Sequence, residues 1–268
     1  MEPKLLLTID VGNTTISLGL FREEELVEEF RLSTLRERTP DELGMEIAGL
    51  LNGRGITPER IAAAMVCSVV PPLNPKLVYG LKKHLDLEPQ FLDHSSSPIE
   101  LAVEEPLAVG PDRIADSIAA YHLFGGPVLV IDFGTAMTFD LVSEDGKFLG
   151  GAIAPEMELT AEMLVRRTAL LPEVDLHMPT SVIGKTTAEN LRAGFVLGFL
   201  ELIRGLIRRF QEEYGKELRV IATGGKGEFF AQQLPEIERY EPYLTLHGLR
   251  IAWELRKGQS QGQAQGRR

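Results

Sequence analysis

The chain has 268 residues, 44% hydrophobic and 25% charged, the balance of an ordinary globular protein with room for one large domain or two smaller ones. Its formal charge of −11 repels a nucleic-acid backbone or an anionic membrane, so neither is expected as a partner. A single cysteine excludes an internal disulfide framework, the N-terminal apolar run is too short for a signal peptide, and no window reaches the ~18 apolar residues of a membrane span; a cytoplasmic protein is expected.

In chain order, residues 5–9, 16–21 and 26–32 are short apolar or alternating runs separated by turn residues, which predicts a three-strand meander. Thr39-Pro40-Asp41-Glu42 predicts a helix start, with an N-cap, a proline at the first position and a Thr-x-x-Glu capping box. Leu43, Ile47, Leu50 and Leu51 continue it at helical spacing. Residues 61–70 predict a buried strand holding Cys67, 75–85 a helix and 89–92 a short strand. The stretch HSSSPIELAVEEPLAVGPD at 94–112 is rich in Ser, Pro and Glu and predicts a connecting loop, followed by a helix over 113–124.

The second half begins in the same way. Residues 128–131, 137–142 and 147–153 predict another meander, with Glu144-Asp145-Gly146 as a tight turn. Helices are predicted over 158–167 and 187–214, a strand over 218–222 and a helix around 228–234. Asp10 and Asp132 lie 122 residues apart, far beyond the roughly 20–50 residues of a solenoid repeat, so a half-chain unit is duplicated. The expected domains are 1–116 and 117–256, with the polar tail 257–268 disordered. Gly194, Gly198 and Gly205 on the long helix are expected to mark close helix packing, and none of the five histidines has metal-ligand spacing.

The repeated element is a turn, TIDVGNTTIS at 8–17 and VIDFGTAMT at 130–138. Its glycine lets backbone approach a ligand, its successive N–H groups can form an anion site, and its threonine adds a hydroxyl donor. An aspartate ending a buried strand is placed to hold a cation or a metal-bound water. Two such hairpins facing each other would hold a polyphosphate from both sides, which makes phosphoryl transfer the leading reaction class. Asp-Phe-Gly at 132–134 also spells a protein-kinase triplet, but no Gly-rich loop, HRD or APE sequence accompanies it. Aspartic proteases need a Ser or Thr after the aspartate, where this chain has Val11 and Phe133.

Seven segments in register carry a resemblance: DVGNT at 10–14, GPDR at 110–113, DFGTAMT at 132–138, GGAIAP at 150–155, RTALLP at 167–172, GKTTAENLRAG at 184–194 and ATGG at 222–225. In these the chain, from Asp10 to about Trp253, resembles the type III pantothenate kinases of the acetate and sugar kinase/Hsp70/actin superfamily. The resemblance implies an α/β fold of duplicated ribonuclease-H-like domains, each a mixed five-stranded sheet with flanking helices, with an ATP cleft between them. It implies ATP-dependent phosphorylation of pantothenate to 4′-phosphopantothenate, the first step of coenzyme A synthesis, by a homodimer.

The same resemblance assigns ATP to Asp10, Val11, Gly12, Asn13, Thr14, Thr15, Ile16 and Ser17, with Thr135 on the opposite side and Thr223, Gly224 and Gly225 toward the adenosine. Asp10 would orient hydrated Mg²⁺ and Asp132 would bind K⁺ or NH₄⁺. Val103, Gly110, Pro111, Asp112, Arg113 and Thr187 would line the pantothenate side, with Asp112 the general base. From the residues alone, Asp112 could equally cap the helix that follows it, and Thr186 could form a capping box with Glu189. The chain departs from the family pattern at Glu156 (usually Gly), Met137 (usually Thr) and Val103 (aromatic in many relatives). These departures leave two alternatives, a kinase with a shifted substrate and a non-catalytic accessory protein.

Overall fold

The computed structural model describes residues 4–265, with side chains through residue 258. The chain forms two compact units. The first takes the residues up to Gly125, Gly146–Leu149 and those from Tyr243 onward; the second takes Gly126–Asp145 and Gly150–Pro242.

The first unit holds β1 (Leu5–Val11), β2 (Thr15–Arg22), β3 (Glu25–Ser33), α1 (Pro40–Asn52), β4 (Ile61–Ser68), α2 (Asn74–Leu85), β5 (Pro89–Phe91), α3 (Pro111–Phe124) and the last helix of the chain, α7 (Leu244–Gln265). Its strands run in the order β3-β2-β1-β4-β5, the first three antiparallel and the rest parallel. Strand alternation divides the core. Leu5, Leu7, Ile9 and Val11 pack with Leu43, Ile47 and Leu81 of α1 and α2, while Leu6, Met65 and Cys67 pack with Ile114, Ile118, Leu249 and Ala252 of α3 and α7. Asp10 therefore points to the α3 side. A slip of one residue would turn it into the apolar α1–α2 core, so the buried leucines that fix the register also aim this carboxylate. The capping box expected at α1 is present: Glu42 N donates to Thr39 Oγ1 at 3.2 Å and Thr39 N to Glu42 Oε2 at 2.7 Å.

The second unit holds β6 (Val128–Phe133), β7 (Ala136–Val142), β8 (Phe148–Pro155), α4 (Met157–Arg166), α5 (Thr187–Tyr214), β9 (Arg219–Gly224), α6 (Gly227–Gln233) and β10 (Arg239–Tyr240); the first residues of β8 fall in the first unit. Its order β10-β9-β6-β7-β8, taken from the far end, repeats that of the first sheet: a meander followed by two parallel strands. The duplication expected from the sequence is thus a duplication of topology, and both sheets are mixed and five-stranded with flanking helices. Ile131 and Phe133 on one face of β6 enter its core, where Phe133 stacks on Phe230 of α6 with ring centroids 4.8 Å apart.

The units differ from the expected division in three places, one being the short segment Gly146–Leu149, which falls in the first unit. Residue 116 falls inside α3, which packs with α7, and the C-terminal segment returns to the first unit. The tail expected to be disordered from residue 257 is helical through Gln265, and residues 266–268 lie outside the described residues. Gly248 makes the α3–α7 contact possible, because a Cβ there would stand 1.9 Å from the Ala115 carbonyl oxygen. Among the described residues, no helix is long and apolar enough to cross a membrane.

Candidate functional site

In the first unit the pairs Asp10–Ser17 and Val11–Ile16 close the β1–β2 hairpin, leaving Gly12 to Thr15 as its tip. Gly12 N donates to Thr15 O at 3.0 Å. The chain leaving β3 then ties the tip down: Thr34 Oγ1 donates to Gly12 O at 2.7 Å, Thr34 N to Thr14 O at 2.9 Å and Arg36 Nη2 to Asn13 Oδ1 at 3.2 Å. A tip of glycine and small polar residues has little intrinsic rigidity. Bonds contributing about 1 kcal/mol each hold it in one shape, with Asn13 and Thr14 exposed.

Beneath the tip, Asp10 lies in parallel register with Cys67 of β4, whose Sγ donates to Asp10 Oδ1 at 3.3 Å. Burial and the nearby Asp112 carboxylate raise the Asp10 pKa to about 7, the thiol hydrogen bond opposing them. Cys67 is itself fully buried, and burial together with Asp10, Asp112 and Asp116 pushes its pKa well up. It is the free, buried strand cysteine that the sequence predicts.

The GPDR segment supplies the second carboxylate. Gly110 is the N-cap of α3, Pro111 its first residue, and Asp112 sits inside the first turn, so Asp112 is not the capping residue. A Cβ on Gly110 would stand 2.4 Å from Asp112 Oδ1, which is why a glycine precedes this proline. Arg113 N donates to Asp112 Oδ1 at 2.9 Å. Burial raises the Asp112 pKa, against the hydrogen bond from the Arg113 N–H and the Arg113 charge. The Arg113 guanidinium lies 5.4 Å over the Phe148 ring, and Ala102 N donates to Phe148 O at 2.9 Å, so Arg113 and the strand leading to half-buried Val103 share one anchor.

The second unit presents the matching hairpin. Asp132 pairs with Thr138 and Phe133 with Met137, leaving Gly134, Thr135 and Ala136 as a tip one residue shorter than the first. Asp132 lies in parallel register with Thr223, and Phe133 with Gly224. Gly224 has φ +82°, and a Cβ there would come within 2.4 Å of Asp132 Oδ1; the carboxylate therefore rests against bare backbone at the end of β9. Thr135 is exposed at the tip, Thr223 is buried at 2% exposure, and Gly225 is open. Met137 is also 2% exposed and lies opposite Phe133 in the hairpin, on the core side of β7.

Thr187 is the first residue of α5, after Thr186, whose expected capping box with Glu189 is present. Exposed Thr187 lines an apolar groove of about 590 Å³ with Leu164, Leu171, Asn190, Gly194 and Phe195. The expectation that Gly194, Gly198 and Gly205 mark close packing is corrected here: a Cβ at any of them would meet nothing within 4 Å, and Gly194 and Gly198 line this open groove. Glu156 has a role the sequence did not suggest, because Glu is not a favoured cap: it is the N-cap of α4, accepting from Leu159 N at 2.8 Å.

The first unit thus gathers Asp10, the tip from Gly12 to Thr15, Ser17 and the Gly110–Arg113 turn; the second gathers Asp132, Thr135 and the Thr223–Gly225 strand end. Among the described residues, no group of three or more His, Cys, Asp or Glu forms a protein-only metal cage. Asp10 and the nearby Asp112 instead place two carboxylates close together, a charge arrangement that a divalent ion arriving with its own ligands would relieve.

The sequence model of the family described as "Type III pantothenate kinase" matches residues 6–209. A relative named "Type III pantothenate kinase" from Roseiflexus sp. (strain RS-1) is 40% identical over 254 residues, covering 94% of this chain and all of the relative. Among solved structures, a conserved putative Baf family transcriptional activator from Campylobacter jejuni aligns with TM-score 0.59 and 20% identity over 94% of this chain and 99% of its own. A putative 2-dehydro-3-deoxygalactonokinase from Sinorhizobium meliloti aligns with TM-score 0.58 and 14% identity over 92% and 95%. At these identities the two structures speak to fold alone.

Proposed function

The chain belongs to the type III pantothenate kinase family, and from this membership we infer that it transfers the γ-phosphoryl group of ATP to the hydroxyl of pantothenate, giving 4′-phosphopantothenate for coenzyme A synthesis. The observation that carries the residue assignment is the partly buried Asp112, held inside the first turn of α3 with a raised pKa, in the same unit as Asp10 and the tied-down tip. A carboxylate made more basic by burial is suited to accept the pantothenate hydroxyl proton as the new O–P bond forms and the bond to the ADP oxygen breaks. The N–H and hydroxyl groups of residues 10–17 would position the ATP phosphates, with Thr135 a further donor and Gly224 and Gly225 giving bare backbone to the adenosine. Arg113, Val103, Gly110 and Thr187 would place pantothenate. Because the transition state of such transfers is loose, positioning contributes more than the base.

Mg²⁺ entering with ATP would neutralise charge on the phosphates; Asp10 is the residue proposed to orient it through water. Asp132, its oxygen against the Gly224 backbone, is proposed as the ligand of K⁺ or NH₄⁺. A homodimer is proposed from the apolar groove at α5 and from the exposed Ile153, Met163, Leu164, Leu170, Val182 and Ile183, an apolar exposure that a second copy would cover. The cytoplasm, where ATP is plentiful, is the proposed location.

The test is ADP release by purified protein with Mg²⁺ and K⁺, comparing pantothenate with a panel of small hydroxylated metabolites. Pantothenate-dependent ADP is expected. Measurable ATP binding without it sinks the assignment.

A further inference from the structure

Cys67 is a buried side chain that the proposed mechanism does not use. It sits among apolar residues of β4 and α3, with Met65, Ile114 and Ala115 in the same cluster, and Asp10 Oδ1 is the acceptor for its hydrogen at 3.3 Å. Their contact is built into the sheet, because Asp10 and Cys67 are register partners on adjacent parallel strands and both side chains leave the same face. The second sheet places a donor-bearing side chain at the equivalent point, Thr223 beside Asp132. The same position beside the motif aspartate therefore carries a donor in both copies of the fold.

We propose that Cys67 is a positioning residue for Asp10: its thiol holds Oδ1 and so fixes the rotation of the carboxylate that orients the cation arriving with ATP. This inference rests on the reading of Asp10 given above. A carboxylate at the end of a strand is otherwise free to turn about its Cβ–Cγ bond. A buried S–H is a weak donor, yet one bond to an ionised acceptor selects a single orientation and leaves the other oxygen for the hydrated ion. Neither metal ligation nor nucleophilic chemistry by the sulfur is required, and no group is transferred to it.

Two measurements test the proposal without depending on a single variant. The first uses the protein without nucleotide or metal. Because the chain has one cysteine, its S–H stretching band in the infrared reports this bond alone. The band is expected at the lowered frequency of a bonded thiol, moving up in Asp10→Ala; an identical band in both proteins overturns the proposal. The second is kinetic. Cys67→Val, which fills the site without a donor, is expected to raise the KM for MgATP and the half-saturating Mg²⁺ concentration about tenfold, the loss of one charge-assisted hydrogen bond. The KM for pantothenate and the melting temperature should hold. Cys67→Ser, which keeps a donor, is expected to stay within about twofold of the parent, on the same single-bond scale. Equal loss in Ser and Val, or no loss in Val, overturns the role of the thiol. Asp10→Asn serves as the reference: if it binds MgATP normally, the reading of Asp10 itself fails, whereas a weakened Asp10→Asn beside a normal Cys67→Val defeats only the present inference. Cys67→Val added to Asp10→Asn should cost nothing further.

Discussion

The two hairpins share a topology and a donor-bearing neighbour beside each aspartate, and differ in most of what else surrounds them. Asp10 stands beneath a four-residue tip tied by Thr34 and Arg36, beside a thiol, its pKa raised by burial and then by the Asp112 charge. Asp132 stands beneath a three-residue tip with Thr135 as its only exposed hydroxyl, and it lies against the bare backbone of Gly224. Duplication supplied one frame twice, and the side chains then diverged. One copy sets two carboxylates near each other beneath a tied-down tip, the other sets one carboxylate against bare backbone.

The sharpest way to break that division is to neutralise each carboxylate in turn. Asp112→Asn is expected to lower kcat about a thousandfold with little change in melting temperature, as loss of a general base does. Asp132→Asn should cost less, about ten- to a hundredfold, and should abolish the response to K⁺, measured by titrating the salt at fixed ATP. Equal losses with an intact K⁺ response would show that the copies are not specialised. Gly224→Ala tests the second copy differently. The φ of +82° and the 2.4 Å approach to Asp132 leave no room for a Cβ, so a loss of roughly tenfold in rate and about 1–2 kcal/mol in denaturant stability is expected.

A third experiment isolates the acid pair of the first copy by pH. The folded protein raises the Asp10 pKa from 3.8 to about 7, so its stabilising contribution is complete below 3.8 and is lost as the pH rises through 7. Ligand-free protein should therefore become less stable between pH 5, inside that window, and pH 8, above it, by on the order of 1–2 kcal/mol after allowance for partial exposure. Asp10→Asn should flatten this dependence and be the more stable protein at pH 8 in thermal melts. The smallest effect is expected at Met137. Met137→Thr should leave the rate unchanged within about twofold while costing on the order of 1–2 kcal/mol of stability, since it buries a hydroxyl where an apolar side chain packs. A faster Met137→Thr enzyme would place that position at the ligand after all.

Much of this was legible in the sequence, because periodic apolar runs and capping residues carry local information. The meanders, the boxes at Thr39 and Thr186 and the doubled aspartate turn all depend on neighbours a few residues apart, and they stand where the pattern puts them. What escaped depended on partners far along the chain. The two-residue strand β10 is too short to show a period. Helix α7 has Leu249 and Ala252 at helical spacing, but that apolar face is short and gains its partner only from α3, far along the chain. The direction in which Met137 points is a matter of register, and the capping role of Glu156 depends on the backbone angle at the end of β8. No single stretch of sequence contains either.

The return of α7 to the first unit also has a consequence in time. Thr245 Oγ1 donates to Asp116 at 2.7 Å, and Gly248 lets the two helix backbones touch along the face of α3 opposite solvent. The helix that carries Asp112 can pack on β1 and β4 early, but its second partner, α7, arrives only when residues beyond 243 have been synthesised. On the ribosome, the first 125 residues emerge early yet wait through the making of the entire second unit before α3 can be clamped by α7. A chain that stops short of α7 would carry every sequence motif described above and still lack the α7 side of the packing that holds the helix of Asp112.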